Sequence, residues 1–360
     1  MMHFLPGVWS APLNRVLIAA LSVGCLAIGW FLVARAPLSD ARQILACHEA
    51  IAVSYKDTWG VNQIFVVSLD GEKRAQLTHN AFNGTYPVWS PDGERIAYVA
   101  KDNSEIRVMN ADGSRNRALT DAAPDTLYVT PRWSPDGSAI AYASGARTDP
   151  DPVAWPDLHI WRMRADGTGK VMLTSGNFGD FAPTWSPDGE YIALASNRSR
   201  DGYHIWRVNA DGANPLQMTR ASIDPATNYP IEQKMPMWSP DGRHIAYWSG
   251  VEMSHLDRRT LLRQQEPTAA DLQIARTWHI WIMDAEGGDQ HELVRGDDPA
   301  WSPDSAKILY PKSDRPTGVG IVGANGSPAG FIETPGEPAG FSWRPARPAS
   351  EHRRCGAAHP

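Results

Sequence analysis

The sequence predicts an all-β protein: a six-bladed β-propeller behind an N-terminal transmembrane helix, its ring closed by a C-terminal strand that completes the first blade. Three observations carry that expectation. The string Trp-Ser-Pro-Asp-Gly recurs from Trp89, Trp133, Trp185 and Trp238, weakens to Trp301-Ser302-Pro303-Asp304-Ser305, and survives as Trp343-Arg344-Pro345. Successive tryptophans lie 44, 52, 53, 63 and 42 residues apart. That is a period in the low forties stretched by insertions, as propeller blades give. The two ends of the repeat region also carry complementary halves of one unit.

Taken in order, residues 1–35 read as a short stub and a membrane anchor. Val16 to Ala34 is uncharged and bracketed by Arg15 and Arg35, long enough to cross a hydrocarbon core of about 30 Å as a helix. A cleaved signal peptide is the competing reading. Ala34-Arg35-Ala36 has the form of a cleavage site, but Pro37 follows it directly, and Cys25 lacks the leucine expected three residues earlier in a lipoprotein motif. The anchor reading is preferred, with a single pass through a bacterial cytoplasmic membrane and the propeller on the extracytoplasmic side. Residues 36–49 read as a linker, 50–345 as the propeller and 346–360 as a disordered tail. Cys47 and Cys355 flank the ring. An oxidising compartment permits a disulfide between them, with two free thiols as the alternative.

One repeat is clearest from Tyr86 to Thr120. Tyr86 to Trp89 forms a strand, Ser-Pro-Asp-Gly turns it, and Arg95 to Val99 runs back. Glu105 to Met109 runs out again, Ala111-Asp112-Gly113 turns, and Arg117 to Thr120 closes the unit. Four strands in hairpin succession make one blade. Proline presets φ at the second position of the turn and glycine takes the left-handed one. Trp89, Trp133, Trp185, Trp238, Trp301 and Trp343 supply large apolar wedges between blades. Pro87, Pro131, Pro183, Pro236 and Pro299 stand two residues ahead of the first five tryptophans. Proline is confined to edge strands, so these strands should be the innermost, lining the axis. The first unit starts at Ile51 with a second strand, and the last copy at Trp343 has no second strand after it. Joined, they close the ring and remove its open edge.

Composition narrows function. Net charge is −6 with no long basic run, which excludes a surface that tracks nucleic-acid phosphates. No Gly-x-Ser-x-Gly elbow, phosphate loop or Cys-x-x-Cys pair is present.

The signatures Trp-Ser-Pro-Asp-Gly, Ile-Ala-Tyr, Ile-Trp-x-Met, Ala-Asp-Gly and Leu-Thr resemble the TolB family of β-propellers over about residues 50–345. Related repeats occur in propellers of prolyl-oligopeptidase-like enzymes. TolB carries an α/β domain before its propeller, for which residues 37–49 are too short. Together with the anchor read at residues 16–34, the resemblance implies a non-catalytic binding or scaffold protein of the cell envelope that takes an envelope protein or peptide, with a glycan as the lesser alternative, an envelope lipoprotein or cell-wall protein being the partner class, and no cofactor. Two other classes stay open: a metal-dependent polysaccharide lyase or glycan-binding propeller, as in oligogalacturonate lyases, and an extracytoplasmic sensor.

Binding residues are sought on the face opposite the uniform Ser-Pro-Asp-Gly turns, because long loops on a rigid scaffold are where recognition resides. That face receives the insertions at 145–158 and 250–278. The candidates are Tyr128, Trp155, Phe178, Phe181 and Tyr229 in its loops, Arg258 in the fifth-blade insertion, and Arg132, the one charged residue directly ahead of a repeat tryptophan on an innermost strand. Each aromatic has the alternative of packing its own loop. Ser254 to Asp257 and Thr268 to Asp271 have the form of capping boxes, read either as a helical lid or as a surface decoration. His159, His204 and His279 occupy equivalent places on three blades. They are expected to stand too far apart to share a metal, whose ligands lie at about 2 Å, and no metal site is expected.

Overall fold

The computed structural model describes residues 36–121, 125–147, 158–225, 230–251, 278–312 and 317–346. Among them lie six antiparallel sheets, one per blade. Blade 1 sets β1 (Ala50–Lys56), β2 (Asn62–Ser68) and β3 (Arg74–Gln76) beside the last strand, β25 (Phe341–Trp343). Blade 2 holds β4 (Gly84–Trp89), β5 (Arg95–Ala100), β6 (Glu105–Asn110) and β7 (Arg117–Ala118). Blade 3 holds β8 (Thr126–Trp133), β9 (Ala139–Ala146), β10 (His159–Arg164) and β11 (Val171–Met172). Blade 4 holds β12 (Asp180–Trp185), β13 (Tyr191–Ser196), β14 (His204–Asn209) and β15 (Leu216–Gln217). Blade 5 adds a short strand, β16 (Ser222–Ile223), ahead of β17 (Pro230–Trp238), β18 (His244–Val251), β19 (His279–Asp284) and β20 (His291–Arg295). Blade 6 holds β21 (Ala300–Trp301), β22 (Lys307–Lys312), β23 (Gly318–Gly323) and β24 (Pro328–Glu333).

The expected closure is present. β25 pairs with β1 in the register Ile51↔Trp343, Ala52↔Ser342 and Val53↔Phe341. In five sheets strand order runs from the Trp-bearing strand outward; in blade 5 β16 pairs only with the start of β17, at Pro230 and Ile231, which leaves Pro236 on an unpaired edge as its missing N–H requires.

The repeated residues each do one local job. In blade 3, Ser134 Oγ donates to Asp136 Oδ1 at 2.5 Å, the Ser138 amide donates to the same oxygen at 3.0 Å, and the Ala139 amide donates to Ser134 Oγ at 2.9 Å. Gly137 takes φ 69°, the left-handed value that closes the turn. The second strands, such as Ile96-Ala97-Tyr98-Val99, are buried on both faces because blades stack face to face. The first five repeat tryptophans are at most 9% exposed, each burial worth about 3 kcal/mol. Trp133 Nε1 donates to the Val88 carbonyl at 3.3 Å and Trp301 Nε1 to the Met237 carbonyl at 2.9 Å, so some wedges also bond the preceding blade. The Leu-Thr pair works next to them: Thr78, Thr120, Thr174 and Thr219 each accept the amide of a third-strand isoleucine through Oγ1 at 2.9 Å. Gly212 shows why the second hairpin needs glycine. A Cβ there would lie 2.0 Å from the carbonyl oxygen of Leu173 at the end of the preceding blade, at φ 88°.

Residues 36–49, read from sequence as a linker without repeat character, contain helix α1 (Ala36–Cys47). Ala41, Ile44 and Leu45 recur on one face and join the core with Ala75, Leu77 and Ala111, the spacing of a helix packed on one side. Arg42 pairs with Asp112 at 2.7 Å. Arg344, from the end of the ring, donates through Nη1 to the Leu45 carbonyl at 2.8 Å and through Nη2 to the Gly93 carbonyl at 3.4 Å. One guanidinium thus ties α1, the closing strand and the first turn of blade 2. Among the described residues no helix is long and apolar enough to cross a membrane. The expected span 16–34 lies outside them, as do Trp155, Tyr229, Arg258, Cys355 with its pairing to Cys47, residues 252–277 and the tail beyond Ala346.

Candidate binding site in the central channel

The innermost strands share an irregularity. Their pairing slips between Thr85 and Val88, Val129 and Arg132, Phe181 and Thr184, and Lys234 and Met237. At each slip one residue turns left-handed: Tyr86 at φ 50°, Thr130 at 49°, Ala182 at 53° and Met235 at 52°. Asp298 at 45° and Gly340 at 101° occupy the corresponding places in blades 6 and 1. Each non-glycine conformation of this kind costs roughly 1–2 kcal/mol, so five of them and one glycine at equivalent places in a ring, four with a register slip, are a built feature. Bulges re-aim side chains and are frequent beside functional sites. Neighbours in the circle touch. The Tyr86 amide donates to the Ala339 carbonyl at 3.1 Å, the Ala182 amide to Thr130 Oγ1 at 3.2 Å, and a Cβ on Gly340 would lie 2.8 Å from Tyr86 Cα.

The chemistry around the circle is uneven. At these inner positions blades 4 and 5 carry Ala182, Thr184, Met235 and Met237, with Ala182 and Met235 buried in the core cluster that holds Phe181 and Leu194, whereas blades 6, 1, 2 and 3 carry Asp297, Asp298, Ser342, Tyr86 and Arg132 beside Val88 and Thr130. Tyr86, Arg132 and the two aspartates come from three different blades, and blades 3 and 6 are opposite in a ring of six, yet their charges perturb one another. Burial, then the Asp298 charge, pushes the Tyr86 phenol up to about 12, with Arg132 opposing. Burial, then Asp298, raises Asp297 to about 6. Asp298 is raised by burial and relieved only by the positive field of Arg132. Arg132 is lowered by burial while Asp298 and Tyr86 pull it back. These groups are enclosed by protein but keep partial contact with solvent, as expected of side chains lining a channel. Arg132 Nη1 donates to the Pro131 carbonyl at 2.9 Å, while Arg132 Nε and Ser342 Oγ are buried without a hydrogen-bond partner.

The other sequence candidates fall elsewhere. Tyr128 is half-buried on β8, tilted against Tyr142 at 6.0 Å between ring centres. Phe178 lies under the Arg198 guanidinium at 4.7 Å and meets His159 edge-on at 6.3 Å. Phe181 is buried edge-on against Tyr203 at 5.1 Å. These rings hold their own loops together. Arg198 in turn pairs with the fully buried Asp180 at 3.0 Å, and Lys234 with Glu232 at 2.7 Å beneath Tyr203 and Trp248. Those buried ions are matched internally and stiffen the start of β12 and β17. The three histidines stay apart. His204 lies between Gln233 at 2.6 Å and Asp201 at 3.0 Å, and His279 bonds Glu292 at 2.6 Å. Among the described residues no three His, Cys, Asp or Glu side chains are grouped to hold a metal. A groove of about 890 Å³ opens at the turn end between blades 3 and 4, beside Arg162, Arg164, Asp136 and Asp188. Its two carboxylates are already committed to their own turns, so it offers less free chemistry than the channel.

Sequence reasoning reached Arg132 and missed Tyr86, Asp297 and Asp298. Their signal was one step further back: the residue before each strand's proline, where Asp297-Asp298-Pro299 stands apart from its counterparts.

A family model described as the TolB beta propeller domain matches residues 48–218 and 94–252, together more than half of the chain. The chain belongs to that family. An uncharacterised protein of Agrobacterium fabrum is 27% identical over 210 residues, 54% of this chain and 64% of that one. A TolB homologue of Chlorobium luteolum is 28% identical over 141 residues, 39% of this chain and 30% of that one. The chain therefore spans less than two thirds of each relative. Among solved structures, TolB from Acinetobacter baumannii superposes with a TM-score of 0.62 at 17% identity, over 83% of this chain and 67% of that one, a likeness of fold alone.

Proposed function

We propose that this family member is a non-catalytic binding module of the bacterial cell envelope. It is tethered through residues 16–34 and recognises a protein or peptide at the long-loop end, over the mouth of the channel. The observation that carries the reading is the cluster of Tyr86, Arg132, Asp297 and Asp298. Opposite charges face a shared space, and part of their hydrogen-bonding capacity is unspent. Desolvated, unmatched polar groups are costly in a fold whose other buried ions are paired, and a ligand that completes them recovers that cost. The family supports a binding role. In the sequence, the insertions at 145–158 and 250–278 join the second and third strands of blades 3 and 5.

The test is crosslinking and affinity capture from native membranes, comparing the full chain with one lacking residues 250–278. A partner held by the first and lost from the second supports the reading. Purified protein is assayed alongside for metal content and for cleavage of polyuronates. Stoichiometric metal together with an ultraviolet-absorbing unsaturated product would replace the binding reading with the lyase one.

A further inference from the structure

The groove between blades 3 and 4 breaks the pattern of the blade seams at two positions. The first is the residue that opens the second strand. At two other seams it shields the next repeat tryptophan: Arg95 lies over the Trp133 ring at 4.5 Å, and the His244 ring stacks on Trp301 at 6.4 Å. In blade 3 it is Ala139, and there, beside Trp185, the groove of about 890 Å³ opens.

The second position is on the third strand. Arg162 pairs with Ala141 on one side and Val171 on the other. In four blades the corresponding residues are Val66, Val108, Ile282 and Ile321, all buried. Blade 4 has Arg207 in that register, between Ala193 and Leu216, and shows what an arginine there needs. The Arg207 guanidinium lies over the Tyr191 ring at 4.5 Å and reaches Glu286 of blade 5 at 3.5 Å. Blade 3 lacks both supports. Ala139 stands where blade 4 has Tyr191. The counterpart of Glu286 is Asp211, a shorter acid whose Oδ1 accepts the Ala213 amide at 2.9 Å. Among the described residues, half-buried Arg162 has no ion pair, hydrogen bond or ring contact.

A partly desolvated guanidinium without acceptors is unfavourable, and a carboxylate matches its fork with two parallel N–H···O bonds. Asp136 and Asp188 also line the groove and offset the charges of Arg162 and Arg164 at a distance. Selection therefore rests on contact with the Arg162 fork and not on long-range steering. Pro135, Met163, Val171 and Pro187 make the rest of the lining largely apolar, suited to the body that carries the acid.

We propose that this groove is a carboxylate subsite. Arg162 takes the acid, and a flat ring carried beside it fills the space next to Ala139 and Trp185, as Glu286 and Tyr191 serve Arg207. An acidic residue next to an aromatic one in an extended partner segment has this form, and a free aryl acid offers the same chemistry. The site is at the turn end, away from the channel mouth, and does not depend on the envelope reading.

Saturation-transfer NMR on the purified full chain tests it with acetyl-Tyr-Glu-amide and 4-hydroxyphenylacetate, and with acetyl-Tyr-Gln-amide as the uncharged control. Saturable binding is expected for both acids, about tenfold tighter than for the control. Arg162→Gln and Ala139→Tyr are each expected to weaken it about tenfold, the first by removing the fork and the second by filling the groove as Tyr191 does in blade 4. Arg207→Gln, at the same place in the next blade, should leave it within about twofold of the parent. Thermal unfolding shows which variants remain folded, and either of the first two suffices. Tighter binding of the peptide than of the aryl acid assigns the site to a partner chain, and the reverse assigns it to a small carboxylate. The inference is overturned if neither acid binds, if the control binds as tightly, or if Arg162→Gln and Ala139→Tyr both bind as the parent does. Partner capture that depends on residues 250–278 should survive Arg162→Gln, so failure of the subsite and failure of the envelope module are read apart.

Discussion

The aspartates at the turn end and those in the channel are the same residue in opposite circumstances. At the turn end, Asp136, Asp188 and Asp304 each accept a serine hydroxyl and a following backbone amide, which hold their carboxyls below the usual range, Asp136 at about 2. In the channel, burial drives Asp297 up to about 6 and Asp298 upward as well. The first set is finished within its own turn and solvated outside it. The second set lacks comparable partners inside the molecule. Repetition in the sequence therefore marks aspartates that build blades, and the pair that breaks the repetition marks unspent binding capacity.

The sharpest mechanical test at the turn end is Gly212→Ala. The added Cβ would meet the Leu173 carbonyl at 2.0 Å, and a loss of about 3 kcal/mol or more is expected in denaturant unfolding. Gly60→Ala, also left-handed but with nothing within 4 Å, should cost only about 1 kcal/mol. Equal losses would show that close approach is not what requires glycine in the second hairpin.

Ring closure comes next. Arg344→Ala removes charge-assisted bonds to the Leu45 and Gly93 carbonyls and should cost about 2–3 kcal/mol. Amide exchange should rise in α1 and β25 ahead of other blades. Uniform exchange across all six blades would deny Arg344 its role as the tie between the two ends.

Asp297→Asn addresses the channel directly. The folded carboxyl titrates near 6, above its unfolded value, so the folded state holds more protons between the two. The group accordingly costs stability increasingly as pH rises through that window. Substitution should leave stability unchanged below pH ~4 and raise it by about 2 kcal/mol above pH ~6. The charged or titratable groups that act on Asp297 are Asp298 and Tyr86. A variant less stable at neutral pH would contradict the channel half of the comparison.

Asp136→Asn is the smallest and has the opposite sign. Its folded value lies below the unfolded one, so its contribution is present above the unfolded value and fades as pH falls towards 2. On this exposed carboxylate the loss should be under about 0.5 kcal/mol at pH 7, checked by the same pH series.

Much of the blade was legible because its causes are local. Proline at the second turn position, aspartate at the third and glycine after it specify a turn within a few residues, and Ile-Ala-Tyr specifies a strand buried on both faces. The half-copies at Ile51 and Trp343 were enough to count six blades and to expect closure. Helix α1 was not read, since its apolar residues, Ala41, Ile44 and Leu45, are few and lie in a segment without repeat signature. Phe178 and Phe181 looked free to bind because a sequence does not show that Arg198 and Tyr203 already cover them.

By itself, then, the sequence determined the repeat, the turn chemistry, the identity of the inner strands and the closure of the ring, all of which follow from backbone preferences and burial patterns within one unit. Only the tertiary structure decided that Tyr86, Arg132, Asp297 and Asp298 share one space. Those residues come from three blades and lie as far as 212 positions apart in the chain. Their pKa shifts and unspent hydrogen bonds arise where inner strands of separate blades come together, and no local pattern encodes that convergence.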